Sequence, residues 1–146
     1  MKIFIYRGIA INADQLNTEN IGGSWSLCSI HAGERAESMA KFHGKDSTVV
    51  IEGVIDINDI DKSQTFAQLF ESLKNEFEII PNLGAEIDCE VLDHNTTALN
   101  DLYGKSFNAV VSEVIIDETH SCPSENTDQY ENQFAELLKK FDSIAD

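Results

Sequence analysis

Residues 48–57, TVVIEGVIDI, alternate apolar and polar side chains and decide the fold class. Val49, Ile51, Gly53, Ile55 and Ile57 fall on one face and Glu52 and Asp56 on the other, the period of two of a strand with one buried side. Toward the N-terminus, Ala32, Ala36, Met39, Ala40 and His43 lie at helical spacing over His31 to His43, with Gly44 placed as a stop. Ahead of that helix, Gly22 and Gly23 punctuate the chain before the short extended piece SWSLCSI. KIFIYR, residues 2–7, reads as a first strand ending at Gly8. Toward the C-terminus, Ser63 is placed to cap a helix with an apolar stripe of Phe66, Leu69, Phe70, Leu73 and Phe77, and Pro81 ends that region. Glu86 to Leu92 reads as extended, and Asn95 or Thr96 caps a short helix through Tyr103, closed by Gly104.

FNAVVSEVII, residues 107–116, is apolar on both faces, which predicts a central strand. Glu113 shares its face with Phe107, Ala109, Val111 and Ile115, so a carboxylate sits among apolar neighbours. After a polar loop over 117–127, an amphipathic helix is expected from about Asp128, with Tyr130, Phe134, Leu137, Leu138, Phe141 and Ile144 on its apolar side. Strands and helices do not alternate regularly, so the expectation is a single α+β domain over residues 1–146.

The chain holds 146 residues, 42% of them hydrophobic, which suits one ordinary core and excludes wholesale disorder. Ten Lys and Arg stand against 26 Asp and Glu, a net charge of -16 that repels nucleic-acid backbones and anionic lipid. The first 45 residues carry five bases and four acids, so the whole excess of negative charge lies beyond them. An anionic ligand is therefore tolerated mainly beside the N-terminal third. The widely spaced Cys28, Cys89 and Cys122 read as reduced thiols of a cytosolic protein without a secretory leader. No run approaches the ~18 apolar residues of a membrane span. Cys28 and His31 are spaced like half of a zinc site, and His120 and Cys122 lie close together in a loop, but neither pair repeats a recognised ligand pattern, so no metal is expected.

No glycine-rich phosphate loop, nucleophile elbow or zinc-binding histidine pair is present. What remains is an order of features: Tyr6-Arg7-Gly8 at a strand end, Gly23-Ser24-Trp25-Ser26 before an alanine-rich helix, a strand with Glu52 and Gly53, and Glu113 on a late strand after ALNDLYGK. That series resembles the ADP-ribosyltransferase-like fold in its arginine, serine, glutamate class, notably the small bacterial and phage versions. The likeness covers residues 3 to about 60 and resumes over 98–114. It implies a split β-sandwich with flanking helices and NAD as substrate. By the resemblance, Arg7 holds the phosphate and ribose side of NAD, and Ser24 and Ser26 support the nicotinamide ribose. Glu113 is then the catalytic acid that stabilises positive charge as nicotinamide leaves.

Two features depart from the family. Members that modify arginine place Gln or Glu two residues before the acid, where this chain has Val111. Gln129-Tyr130-Glu131 fits that spacing, which makes Glu131 the second candidate acid and Glu118 the third. The strongly acidic composition also requires a pocket kept locally neutral by the N-terminal bases.

Each residue taken alone has a plainer reading. Arg7 is then a strand-end surface arginine, Trp25 an ordinary core residue, and Glu113 a solvent-facing or Lys105-paired carboxylate. Tyr6 and Tyr103 read as core residues rather than nicotinamide stackers. The function expected from the resemblance is transfer of ADP-ribose from NAD to a macromolecule, a protein with a basic surface, by a cytoplasmic phage or bacterial effector. The alternative is a non-catalytic acidic protein that blocks the basic surface of a nucleic-acid-binding partner. A third reading is hydrolysis of NAD without transfer.

Overall fold

The computed structural model describes residues 1–11, 25–61, 65, 78–94, 106–111, 135–136 and 138–145. In chain order these hold strand β1 (Lys2–Ile11), the two-residue strand β2 (Trp25–Ser26), helix α1 (Ser29–His43), strand β3 (Ser47–Asp56), a 3-10 turn (Ile57–Asp59), and strands β4 (Glu78–Ile79), β5 (Glu86–His94) and β6 (Ser106–Val110). All six strands join one antiparallel sheet in the order β4-β2-β1-β3-β5-β6. The domain is α+β, with few helices and one sheet among the described residues. The implied split β-sandwich is met only at this coarser level, because the described strands share one sheet rather than two.

The alternation over 48–57 has the expected outcome. Val49, Ile51, Gly53 and Ile55 are buried, and they pair across β1 with Ile9, Arg7, Ile5 and Ile3. From the other side β5 brings Ile87, Cys89 and Val91 to the same face, and β6 brings Ala109. Trp25, Leu27, Ile79 and Leu138 complete this core. Each fully buried isoleucine removes enough apolar surface from water to stabilise the fold by roughly 1.5–3 kcal/mol. Ile57 lies just past the strand and is half-buried, still packed against the same core. The Asp56 carboxylate accepts a hydrogen bond from the Asn58 N–H at 2.9 Å and turns the chain into the 3-10 segment.

Helix α1 covers the opposite face of β1 and β3 through Ala32 and Ala36. The approach is so close that a Cβ on Gly8 would lie 1.7 Å from the Ala32 carbonyl oxygen. This corrects the reading of Gly8 as a strand stop. The ladder continues past it, from Gly8↔Val50 to Ile11↔Ser47, and the missing side chain serves helix packing instead of chain termination. Gly44 does end the helix as expected, at φ 65°, where its N–H bonds the Ala40 carbonyl.

Two further expectations change at the sheet margins. The stretch expected to be central forms β6 over Ser106–Val110 and lies at an edge, paired among the described strands with β5 alone. Its outer side leaves Val110 43% exposed, so apolar character on both faces did not mean burial on both. The C-terminal helix does not reach Ile144. It gives way to a turn at Phe141 and Asp142, and the chain then runs beside β1, with Ile144 bridging Ile3 and the Ala145 N–H bonding the Lys2 carbonyl at 2.9 Å. β2 pairs with β1 only at Tyr6↔Ser26, and residues 143–145 supply partners to the start of β1.

Of the helix expected after Ser63, only Thr65 is described. It is helical, and its Oγ1 accepts from the Ile80 N–H at 3.1 Å. The rest of that helix, the 95–103 helix, the 117–127 loop and the start of the last helix lie outside the described residues. No helix among the described residues is long and apolar enough to cross a membrane.

Candidate functional site

The β1–β2 pairing puts Tyr6 opposite Ser26, and the β2–β4 pairing puts Ser26 opposite Glu78. Over this row stands the first turn of α1. The result is a cleft lined by Tyr6, Arg7, Trp25, Ser26, His31, Ala32, Arg35 and Glu78. Arg7 and Ser26, named on sequence grounds as ligand-binding residues, therefore meet in one place. Ser24, Glu113, Glu118 and Glu131 lie outside the described residues. The cleft encloses about 20 Å³, room for about one water molecule. It holds at most a small part of a dinucleotide.

Each side chain has a local cause for its position. Ser26 is nearly buried, and its Oγ accepts the Cys28 N–H at 3.0 Å, turning the chain from β2 into α1. One lone pair of that hydroxyl is thus committed to the turn. Trp25 is 2% exposed, and its ring crosses Gly53, where a Cβ would lie 3.0 Å from Cζ3 and 2.6 Å from Ile87 Cγ2. The tryptophan is a core anchor that also forms a wall of the cleft. His31, in the first turn of α1, stands 3.9 Å through Nδ1 from the Glu34 carboxylate.

The electrostatics are unusual for so acidic a chain. Burial, with Arg35 nearby as a second cation, lowers the pKa of Arg7 from 12.5 to about 10. Arg7 Nε is buried without an acceptor, although the residue itself is not without a partner. Tyr6 is shifted the other way. Burial first, and then the charge of Glu52 and its hydrogen bond to the phenol, raise the Tyr6 pKa. Glu52 is the cross-strand partner of Tyr6 on β3.

The sequence did not single out Glu78, His31 or Arg35 for this site. Glu78 is the carboxylate that lines the cleft among the described residues. Nothing local marks it, because its place depends on β2 pairing with a strand more than 50 residues away. His31 and Arg35 had a sequence signal, their place on the helix following Ser24-Trp25-Ser26. Among the described residues no three His, Cys, Asp or Glu side chains group as metal ligands. Cys28 and Cys89 are free thiols, and Cys122 lies outside the described residues.

Compared with family models, with curated proteins and with solved structures, the chain matched none.

Proposed function

We propose that this chain is an NAD-dependent mono-ADP-ribosyltransferase with an ADP-ribosyltransferase-like split β-sandwich, a small cytoplasmic effector of phage or bacterial type. Its acceptor is a macromolecule, a protein with a basic surface. The observation that carries this reading is the meeting of Arg7, Trp25 and Ser26 in one cleft at the head of α1. Arg7 is a planar cation with several fixed donors, the kind of group that suits a dinucleotide pyrophosphate.

In this reading the bond between nicotinamide and ribose C1′ breaks, and its electron pair leaves with neutral nicotinamide. Arg7 holds phosphate oxygens through its planar array of donors, and Ser24 and Ser26 bond ribose hydroxyls. The Glu113 carboxylate bonds a ribose hydroxyl and stabilises the cationic sugar as the bond opens. The acceptor atom then attacks C1′ from the opposite face and releases its proton to solvent or to a nearby base.

Labelled NAD with a cell lysate tests the reading, with nicotinamide release followed in parallel. Transfer of label is expected. Arg7→Ala should weaken NAD binding about 10- to 100-fold, the loss of one or two charge-assisted hydrogen bonds. Glu113→Gln should cut turnover by roughly 100-fold or more with little change in NAD affinity. Glu78→Gln run beside it decides whether the cleft carboxylate acts instead. Free ADP-ribose as the only product would identify a hydrolase. Absence of NAD binding, transfer and nicotinamide release would overturn the proposal.

One observation favours the second reading, an acidic protein that occupies a basic partner surface. On the outward side of β5, Glu86, Asp88 and Glu90 are all exposed, and their cross-strand neighbours Glu52 and Val54 lie on β3. Binding through that row should fall steeply with salt and survive Arg7→Ala, the reverse of the pattern expected for the enzyme.

A further inference from the structure

A second groove opens beyond Arg7, between the β1 segment after it and the C-terminal half of α1. It encloses about 170 Å³ and is lined by Arg7, Ile9, Arg35, Met39, His43 and Lys45 among others, with no acidic side chain among the described residues of its wall. Ten Lys and Arg serve the whole chain against 26 Asp and Glu, so three of them in one wall, with no acid among its described residues, is a marked local reversal of charge. Helix-end electrostatics explain part of it. Lys41 and His43 fall in the last turn of α1, where cations suit the exposed carbonyls. They do not explain Lys45, which lies past the Gly44 cap, or Arg35, about two turns back, or Arg7 on the strand. Arg7 and Lys45 are half-buried, while Arg35 and His43 reach solvent. Arg7 and Arg35 also stand near enough to repel each other. An anion seated in the groove is attracted by these charges together.

We propose that this groove binds a phosphate-bearing ligand, with Arg35 and Lys45 as its own contacts and Arg7 shared with the adjoining cleft. Met39 adds apolar surface to the groove beside these charges. The site does not require the transferase reading, since its ligand is recognised by phosphate charge alone.

Inorganic pyrophosphate is the probe, titrated into the full chain at low ionic strength without NAD and followed by calorimetry and thermal shift. Saturable binding and a raised melting temperature are expected. Arg35→Ala and Lys45→Ala should each weaken binding by roughly 10-fold or more, the loss of a charge-assisted contact. Lys45→Arg should retain most of it. Lys139→Ala/Lys140→Ala, which removes two charges from the C-terminal helix, should leave it unchanged. Arg35 is exposed, so its variant tests the groove without a folding defect. No binding by the wild type overturns the proposal, as does equal affinity in the Arg35 and Lys45 variants or an equal loss in the Lys139/Lys140 variant. NAD titrated into the same proteins then separates two sources of the phosphate. Competition with pyrophosphate assigns the groove to the dinucleotide, and simultaneous binding assigns it to a second phosphate-bearing molecule.

Discussion

At Gly8 a single hydrogen in place of a side chain sets how closely a helix lies on a sheet. Gly8→Ala drives a methyl group into the Ala32 carbonyl and the Ala36 side chain, so either α1 lifts or β1 bends. A loss of about 1–3 kcal/mol or more is expected in urea unfolding, the usual range for overpacking a rigid contact. Gly33→Ala is the contrast, because the nearest atom there is Val50 Cγ2 at 3.8 Å. With space available and helical backbone around it, that substitution should stabilise the protein by about 0.5–1 kcal/mol.

Cys89 shows residue-scale electrostatics in the core. Burial, with Asp88 adding to it, raises its pKa from 9.0 to about 12. A group with a raised folded-state pKa contributes stability that is complete below its unfolded value and is lost as pH rises through the folded one. The Cys89 contribution should therefore be intact at pH 8 and decline between about pH 9 and 12, and Cys89→Ala should flatten that part of the stability profile. At pH 8 a thiol reagent should modify Cys28 well before Cys89, read by mass spectrometry of the native protein.

At the scale of elements, the C-terminal segment behaves as part of the sheet. The Phe4 N–H bonds the Ser143 carbonyl at 2.6 Å, and Ala145 returns a bond to Lys2. Deleting residues 143–146 should unpair one edge of the first half of β1, which stays joined to β3 on the other, and lower the melting temperature, with hydrogen exchange accelerating at Phe4 before the β3–β5 ladder. Amphipathic periodicity made α1 and β3 legible, because their apolar residues repeat at 3.6 and 2.0 and each buries one side. β6 was legible as a strand and misplaced as central. Its composition reports β-propensity, whereas its neighbours are fixed by which strands remain to pair with it.

At the scale of the molecule, a net charge of -16 favours expanded states through self-repulsion. Raising ionic strength from about 0.01 M to about 0.15 M should raise the melting temperature, since the screening length then falls to roughly 8 Å. The same salt change should weaken pyrophosphate binding in the groove, so stability and affinity are expected to move in opposite directions.

By itself the sequence determined a single α+β domain, its clearest strand and helix, the Gly44 stop, and Arg7 and Ser26 as residues worth bringing together. These rest on local periodicity and on side-chain chemistry that does not depend on neighbours. Only the tertiary structure decided that Gly8 seats a helix, that β6 is an edge among the described strands, that residues 143–145 join β1, and that Glu78 faces the cleft. Each of those depends on contacts between stretches distant in the chain, where the free energy lies in packing and strand pairing that no local pattern encodes.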